Sequence, residues 1–585
     1  MVDRTLLSGN EAVARGAWEA GVRVGVGYPG TPSTEVLEAL VQLPGVRAEW
    51  APNEKVALEV AAGASLGGAR SLVTMKHVGL NVAADPLFTL AYTGVTGGLV
   101  VLVADDPGMH SSQNEQDTRN YAAFARVPLL EPADSQEALE FTRLAFEISE
   151  RFDVPVIVRS TIRIAHSKGL VSFGPREERT IASFESQPGK YVMLPGNAKK
   201  RRVDLDPRFA ALTEFAESLD LNRMEMSDPA LGVIAAGVTY QYVREALPEA
   251  SVLKLSMLNP LPARLVQDFA SRVGRVAVVE EIDPYLTSRV RQLGIAVEEP
   301  PLQRMGEYTP RMVAEAFGAR PPAAREPLEG LPPRPPMLCP GCPHRGVFRA
   351  LREMGAVVTG DIGCYTLGAL PPLSAMDSCL CMGASIGMAH GLELAGGAGE
   401  RPVVAVIGDS TFAHSGLTGL MNAVYNGSSA TTIVLDNRIT AMTGHQENPF
   451  TGRTLMGEPA PEMDVEAVCR GLGVEHVLVV DPANLKRTER ALREAVEHEG
   501  PSVVVARRPC ALLEKSDKRP LAVDEDRCTS CGACIALGCP ALSVSASGKA
   551  VIDAETCVGC ALCAGVCAER AIRAGVEACE AGESA

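Results

Sequence analysis

Two cysteine runs near the C-terminus carry the most specific chemistry in the sequence. The first is Cys528-x-x-Cys531-x-x-Cys534-x-x-x-x-Cys539-Pro540, and the second is Cys557-x-x-Cys560-x-x-Cys563-x-x-x-Cys567. Two-residue gaps let three thiolates wrap one face of an iron–sulfur cubane, and in two-cluster proteins the fourth ligand comes from the other run. That pattern assigns Cys528, Cys531, Cys534 and Cys567 to one [4Fe–4S] cluster, and Cys539, Cys557, Cys560 and Cys563 to the other. The first run is one residue longer than usual before its last Cys, and Ala568 stands where the second would carry proline. Zinc also uses CxxC pairs, but two complete four-cysteine runs favour iron and sulfur. Cys579 lies outside both runs and is expected to be a free thiol.

A second constellation is Gly408-Asp409-Ser410 followed by Asp436-Asn437. The apolar runs PVVAVIGD and TTIVLDN read as strands, which end at Asp409 and Asn437. A carboxylate and an amide oxygen at neighbouring strand ends suit Mg²⁺, which prefers oxygen ligands and usually shares itself with phosphates. A GD followed by a DN is common in isolation, so its context matters.

That context is GDSTFAHSGLTGLMNAVYN and DNRITAMTGHQ. It resembles the thiamine-diphosphate domain of indolepyruvate:ferredoxin oxidoreductases, with Ser410 and Asp436 departing from the GDG…NN pattern of thiamine enzymes. The N-terminal segments GYPGTPSTEVLEAL, EWAPNEKVALEVAAGASLGGAR, TMKHVGLNVAADP and DDPGMHSSQNEQDTRNYA resemble the same family, as do LCPGCPHR and the cysteine-rich tail. The resemblance spans nearly the whole chain in order. It implies Mg²⁺ held by Asp409, Asn437 and the Ile439 carbonyl, with the diphosphate touching backbone N–H groups near Gly408 and Gly383. It also implies a catalytic carboxylate at the aminopyrimidine ring, at Glu54, with Glu59 as the fallback. Read without the resemblance, Glu54 is a carboxylate stabilised at a helix start. Thr31, in a turn resembling YPITP, is a substrate contact by the same reasoning. Lys76, His77 and Arg119 are candidates to offset a substrate carboxylate.

The implied reaction is oxidative decarboxylation of an aryl pyruvate such as indole-3-pyruvate. Coenzyme A takes the acyl group, and electrons pass through the clusters to ferredoxin. A smaller β subunit is the expected partner, in a dimer of heterodimers. No segment remains for the further substrate domain of the larger oxidoreductases, so the chain alone is expected to be nearly inactive. Cys339-Pro-Gly-Cys342 resembles a pair that, with a distant Cys such as Cys364, holds a third cluster in related enzymes. Cys379, Cys381, Cys469 and Cys510 are available as its fourth thiolate. The indolepyruvate type resembles a two-cluster enzyme, so two clusters and about eight irons per chain are expected.

The elements that must position these residues are α/β. At 585 residues the chain is too long for one core. Strands SLVTMK, GGLVVLVAD and VPVIVRS alternate with helices such as GNEAVARGAWEAG, implying a parallel sheet covered on both faces. The expected architecture is two doubly wound thiamine-diphosphate-binding domains, 1–172 (pyrimidine side) and 337–515 (diphosphate side). A smaller α/β domain resembling the transketolase C-terminal domain occupies 207–318, and a two-cluster ferredoxin-like domain 517–576. Between 173 and 206 the pattern fails, and the basic run Lys199–Arg202 reads as a solvated connection. Prolines crowd the stretch from Pro321 to Pro336, as in a stiff linker. The likeness of GASLGGAR (Gly63–Arg70) to GASIGMAH (Gly383–His390) is either chance or a trace of two related domains.

A formal charge of −16 opposes nucleic-acid binding. The N-terminus lacks a signal-peptide pattern and no apolar run approaches a bilayer span, so a cytoplasmic protein is expected. Sixteen cysteines, none before Cys339, then argue for metal ligation over disulfides.

Overall fold

The strand Leu99–Asp105 is buried along its whole length. An apolar run without alternation is what a parallel strand covered on both faces requires. The computed structural model describes residues 4–181, 184–323, 328–332, 335–513 and 519–574. Cys579 lies outside them. Two units are distinguished, 1–327 with 455–458, and 328–454 with 459–585.

In the first unit a seven-stranded sheet runs in the order Met257–Asn259, Leu129–Leu130, Val156–Thr161, Leu99–Asp105, Ser71–Lys76, Val24–Gly27, Arg47–Trp50. All its pairings are parallel except that of the Met257–Asn259 edge. The first helix, Gly9–Glu19, opens on a capping box between Ser8 and Glu11, which satisfies two orphan N–H groups. Gly21 follows with φ +75°, a conformation that glycine adopts without strain.

A five-stranded sheet forms the smaller α/β region. Its order is Val297–Glu298, Val276–Val279, Asp228–Ala236, Ala250–Leu255, Arg223–Glu225. Sequence patterning separates this region from the first domain, yet Met257–Asn259 crosses over to complete the larger sheet. Leu258 and Phe269 share one apolar core with Leu102 and Leu129. The expected solvated connection also differs. Its basic run lies on the helix Pro195–Glu217, and Arg201 pairs with Asp153 at 2.8 Å while donating to the Tyr92 and Thr93 carbonyls.

In the second unit six parallel strands run Ser378–Cys379, Val357–Gly360, Val403–Gly408, Thr431–Asp436, Ser502–Arg507, His476–Val480. The cysteine-rich tail contributes two antiparallel pairs, Leu521–Val523 with Ile572–Ala574 and Leu542–Val544 with Ala550–Ile552. Its buried apolar residues are few: Leu521, Cys534, Ala550 and Ile572 cluster together, and Leu537, Ala541, Leu562 and Ala571 are also buried. That is too little apolar burial to fold unaided, so the tail needs a staple.

The two similar GAS segments occupy different places. Gly63–Leu66 closes the helix Glu54–Leu66, whereas Gly383 caps the start of Ala384–Ala395. Their likeness does not mark equivalent positions. Among the described residues no helix is long and apolar enough to cross a membrane.

Candidate active site

In the first unit, the residues expected to do chemistry follow the C-terminal ends of parallel strands, where open α/β sheets bind ligands. Glu54 is the first residue of the helix Glu54–Leu66, capped by Asn53, whose side chain accepts from Val56 N at 2.9 Å. The Glu54 side chain is buried, with the residue only 4% exposed. Gly79 makes room for it, since a Cβ there would lie 2.5 Å from Glu54 Oε1. The fallback, Glu59, is instead a surface residue paired with Lys55.

Lys76 ends its strand beside this carboxylate. Its methylenes lie against Gly30, where an added Cβ would be 3.4 Å away. Its Nζ donates to the Ser111 carbonyl at 2.9 Å, and Ser111 Oγ donates to the Thr31 carbonyl at 3.4 Å. Burial pushes Lys76 down to about 8, partly offset by the charges of Asp106 and Glu54. His77 is buried, with Nε2 3.0 Å from the Asn114 carbonyl and Nδ1 without a hydrogen-bond partner. Glu54, Lys76, Thr31 and His77 therefore share one neighbourhood, ordered by the loop that carries Ser111 and Asn114.

In the second unit, Asp409 follows the strand Val403–Gly408 and Asn437 follows Thr431–Asp436, as the motif requires. The side-chain amide of Asn437 lies against Asp409 Oδ2, at 3.3 Å, and the Ile439 carbonyl, at 2.9 Å, and its nitrogen can donate to both. A carboxylate, an amide and a backbone carbonyl thus meet at one point, and oxygen donors of these kinds are what Mg²⁺ takes once the amide turns its oxygen inward. The residues present therefore fit a divalent cation. Burial, and then the charge of Asp436, push Asp409 up to about 7; a cation would reverse that shift. Asp436, which departs from the usual motif, has its charge met by Arg507 at 2.7 Å and Arg438 at 3.2 Å.

Gly408 is pressed against the Tyr365 ring, 2.7 Å from where its Cβ would be. Gly383, with φ +86°, is pressed equally hard against Ser415. Its N–H donates to Asp361 Oδ1 at 2.8 Å, and Ser385 N–H donates to Oδ2 at 3.2 Å. The N–H expected to meet a diphosphate is thus held by Asp361, a buried carboxyl that burial pushes up to about 6. Nothing in the raw motif pointed to Asp361.

All fifteen described cysteines are free of disulfides. A cavity of about 240 Å³ is lined by Cys528, Cys531, Cys534 and Cys567. A second cavity is lined by Cys539, Cys557, Cys560 and Cys563, together with Pro340 and Gly341. The first set surrounds a space of its own, and the second lines a much smaller one, about 20 Å³. Among the described residues no three His, Cys, Asp or Glu side chains close around a single ion; a cubane spaces its thiolates more widely. Cys339, Cys342, Cys364 and Cys510 form a further group. Burial raises Cys342 to about 12 and Cys364 to about 11, and the charges of Cys339, Cys364 and Cys510 act within the group. Cys510 backbone N–H donates to the Asn437 backbone carbonyl at 3.0 Å, and the Asp409 charge is among those acting on its thiol, so this cysteine adjoins the candidate cation site. Cys469 packs in a different core, and Cys379 sits under the Asp361 carbonyl.

Comparison with known proteins agrees with this geometry. The family described as "Thiamine pyrophosphate enzyme, C-terminal TPP binding domain" matches residues 361–506. "Pyruvate flavodoxin/ferredoxin oxidoreductase, thiamine diP-bdg" matches residues 15–208. Indolepyruvate oxidoreductase subunit IorA of Archaeoglobus fulgidus is 43% identical, covering 98% of this chain and 97% of its own. The IorA subunit of Pyrococcus abyssi is also 43% identical, with 97% and 96% covered. This chain belongs to the IorA family. It is a subunit of a thiamine-diphosphate-dependent 2-oxoacid oxidoreductase. The 2-oxoglutarate synthase subunit KorA of Methanothermobacter marburgensis is 30% identical over 205 residues, 33% of this chain.

Within this IorA-family chain Arg119, a sequence candidate for the substrate carboxylate, is committed to other partners. It is 2% exposed, pairs with Asp117 and with Glu280 at 3.0 Å, and donates to the carbonyls of Glu281 and Asp283. A guanidinium so committed has no fork left for a substrate. Removing one partner of a buried ion network strands the others, at a cost of roughly 3–5 kcal/mol. Arg119→Met is therefore expected to lower the thermal unfolding midpoint sharply. A variant of wild-type stability, raised only in KM for the oxoacid, would return Arg119 to the substrate site.

Proposed function

We propose that the chain is the large subunit of an enzyme that oxidatively decarboxylates aryl pyruvates, indole-3-pyruvate above all. The acyl group passes to coenzyme A and two electrons pass singly through [4Fe–4S] clusters to ferredoxin. The observation that carries the oxidative reading is the cavity lined by Cys528, Cys531, Cys534 and Cys567. It supports a cluster site, and a non-oxidative thiamine decarboxylase has no use for one. Thiamine diphosphate, when bound, supplies the carbon nucleophile and the electron sink for the oxoacid. Asp409, Asn437 and the Ile439 carbonyl would hold its Mg²⁺, while Glu54 would hold or move the proton at the aminopyrimidine ring. Lys76 would meet the oxoacid carboxylate, with Thr31 and His77 orienting that end of the site.

The charge on Lys76 sets a pH dependence. With the amine lowered to about 8, it is cationic below that pH and neutral above it. kcat/KM for the oxoacid is expected to be level below pH 8 and to fall about tenfold per unit above it. Lys76→Met should lower kcat/KM and abolish that fall. An unchanged profile in the variant would remove Lys76 from the substrate site.

Beside the two clusters expected in the tail, the nearness of Cys339, Cys342, Cys364 and Cys510 supports a reading with a third cubane, and so about twelve irons per chain where two clusters alone give about eight. The decisive experiment measures coenzyme-A-dependent ferredoxin reduction with a panel of oxoacids, anaerobically, with and without the smaller subunit. Aryl pyruvates should be preferred, and the single chain should turn over slowly because an incomplete site stays open to water. Decarboxylation without ferredoxin reduction in the complete complex would overturn the reading, and iron near eight would remove the third cubane alone.

A further inference from the structure

Arg345 stands apart from the other buried arginines of this chain. Arg119 and Arg159 are enclosed by carboxylates. Arg345 is equally buried, at 2% exposure, yet all its hydrogen bonds go to backbone carbonyls. One terminal nitrogen donates to Leu537 O at 2.8 Å and Gly538 O at 2.6 Å. The other donates to Leu338 O and, at 3.2 Å, to Cys339 O. Its Nε has no partner. Leu537 and Gly538 lead into Cys539, and Leu338 leads into Cys339, so one guanidinium joins the approaches to two cysteine sets.

The same two sets touch elsewhere. Gly341, between Cys339 and Cys342, has φ +74°, and a Cβ there would lie 2.5 Å from Val558 Cγ2 and 3.6 Å from Cys560 Cβ. A buried cation normally requires a counter-charge. Carbonyls supply only dipoles, and the groups on both sides that become anionic on binding a cluster are the cysteine thiols.

We propose that Arg345 is a positioning residue that fixes the Cys339/Cys342/Cys364/Cys510 site against the Cys539/Cys557/Cys560/Cys563 site, and that its positive charge raises the reduction potential of the clusters both sites hold. The inference rests on the clusters proposed above. Each cubane becomes more negative by one charge on reduction, so a fixed cation beside it favours the reduced form. In the transfer between them one cubane loses one electron and the other gains it. The electrons come from the oxoacid and leave to ferredoxin.

The test is a potentiometric titration of the anaerobically purified full chain, followed by EPR and paired with iron analysis. Arg345→Met is expected to keep its iron while the reduction equilibrium of the flanking clusters shifts at least tenfold toward the oxidised form, 59 mV or more for one electron. Arg345→Lys, which keeps the charge but not the fork, should recover most of that shift. If the Met variant loses iron, Arg345→Gln, a neutral donor, takes its place with the same expectation. Iron lost from both neutral variants and retained by the Lys variant supports the charge role. A neutral variant with full iron and wild-type potentials overturns the proposal. So does a Lys variant that shifts as far as the neutral one, or one that also loses its iron, since the role is then a structural clamp. Wild-type chain without cluster signals would sink the proposed electron path itself, whatever the variants do.

Discussion

Glu54→Gln is expected to leave fold, iron and bound thiamine diphosphate intact and to lower turnover by roughly 10²–10⁴-fold, the range that a positioned acid–base group contributes. The side chain is fixed at a helix start by the Asn53 cap and enclosed where only a glycine at position 79 leaves room for it. Gln fills the same volume without strain, so the effect isolates proton chemistry from packing. Glu59→Gln is the internal control, because that carboxylate is at the surface beside Lys55, and it should change turnover little. Steady-state rates of the complete complex with purified variants decide it. Wild-type turnover by Glu54→Gln would remove the residue from the reaction.

Asp409→Ala should act before chemistry, by releasing the cofactor. Asp409 is the one carboxylate among the three groups, with the Asn437 amide and the Ile439 carbonyl, that meet at the ends of two adjacent strands. Loss of groups that merely orient a metal's ligands already costs about 10–100-fold. Removing an anionic ligand should therefore weaken Mg²⁺-dependent thiamine diphosphate binding by roughly a hundredfold or more. Asp409→Asn, which keeps an oxygen but not the charge, should fall between. Calorimetric titration with the cofactor and Mg²⁺ reads this directly. Cofactor bound by Asp409→Ala at wild-type affinity would show that another group holds the cation.

Much of this was legible in the sequence because the informative spacings are local. The two cysteine runs, and the strand ends that carry Asp409 and Asn437, depend on residues a few positions apart or on adjacent strands. Cys510 stood only as one of four possible fourth thiolates, and Arg345 was not singled out, because their meaning is long-range. Cys510 matters through Asn437 and Cys339, and Arg345 through the loop before Cys539. The ion network of Arg119 was hidden for a related reason, since no local pattern separates a solvated arginine from one that also pairs with the distant Glu280. The helix Pro195–Glu217 was hidden because it buries only Leu205, Leu212 and Ala216 and carries Pro207 in its interior.

The edge strand Met257–Asn259 has a consequence for how the protein can be made. During synthesis the Leu129–Leu130 edge emerges long before its neighbour does, and an unpaired edge is a template for association with another chain. Contacts this distant in sequence also close slowly. The nascent first domain is therefore an unfinished fold until residue 259 has left the ribosome. A fragment ending at residue 172 should aggregate or remain partly folded, whereas one extended through the five-stranded sheet should be monodisperse.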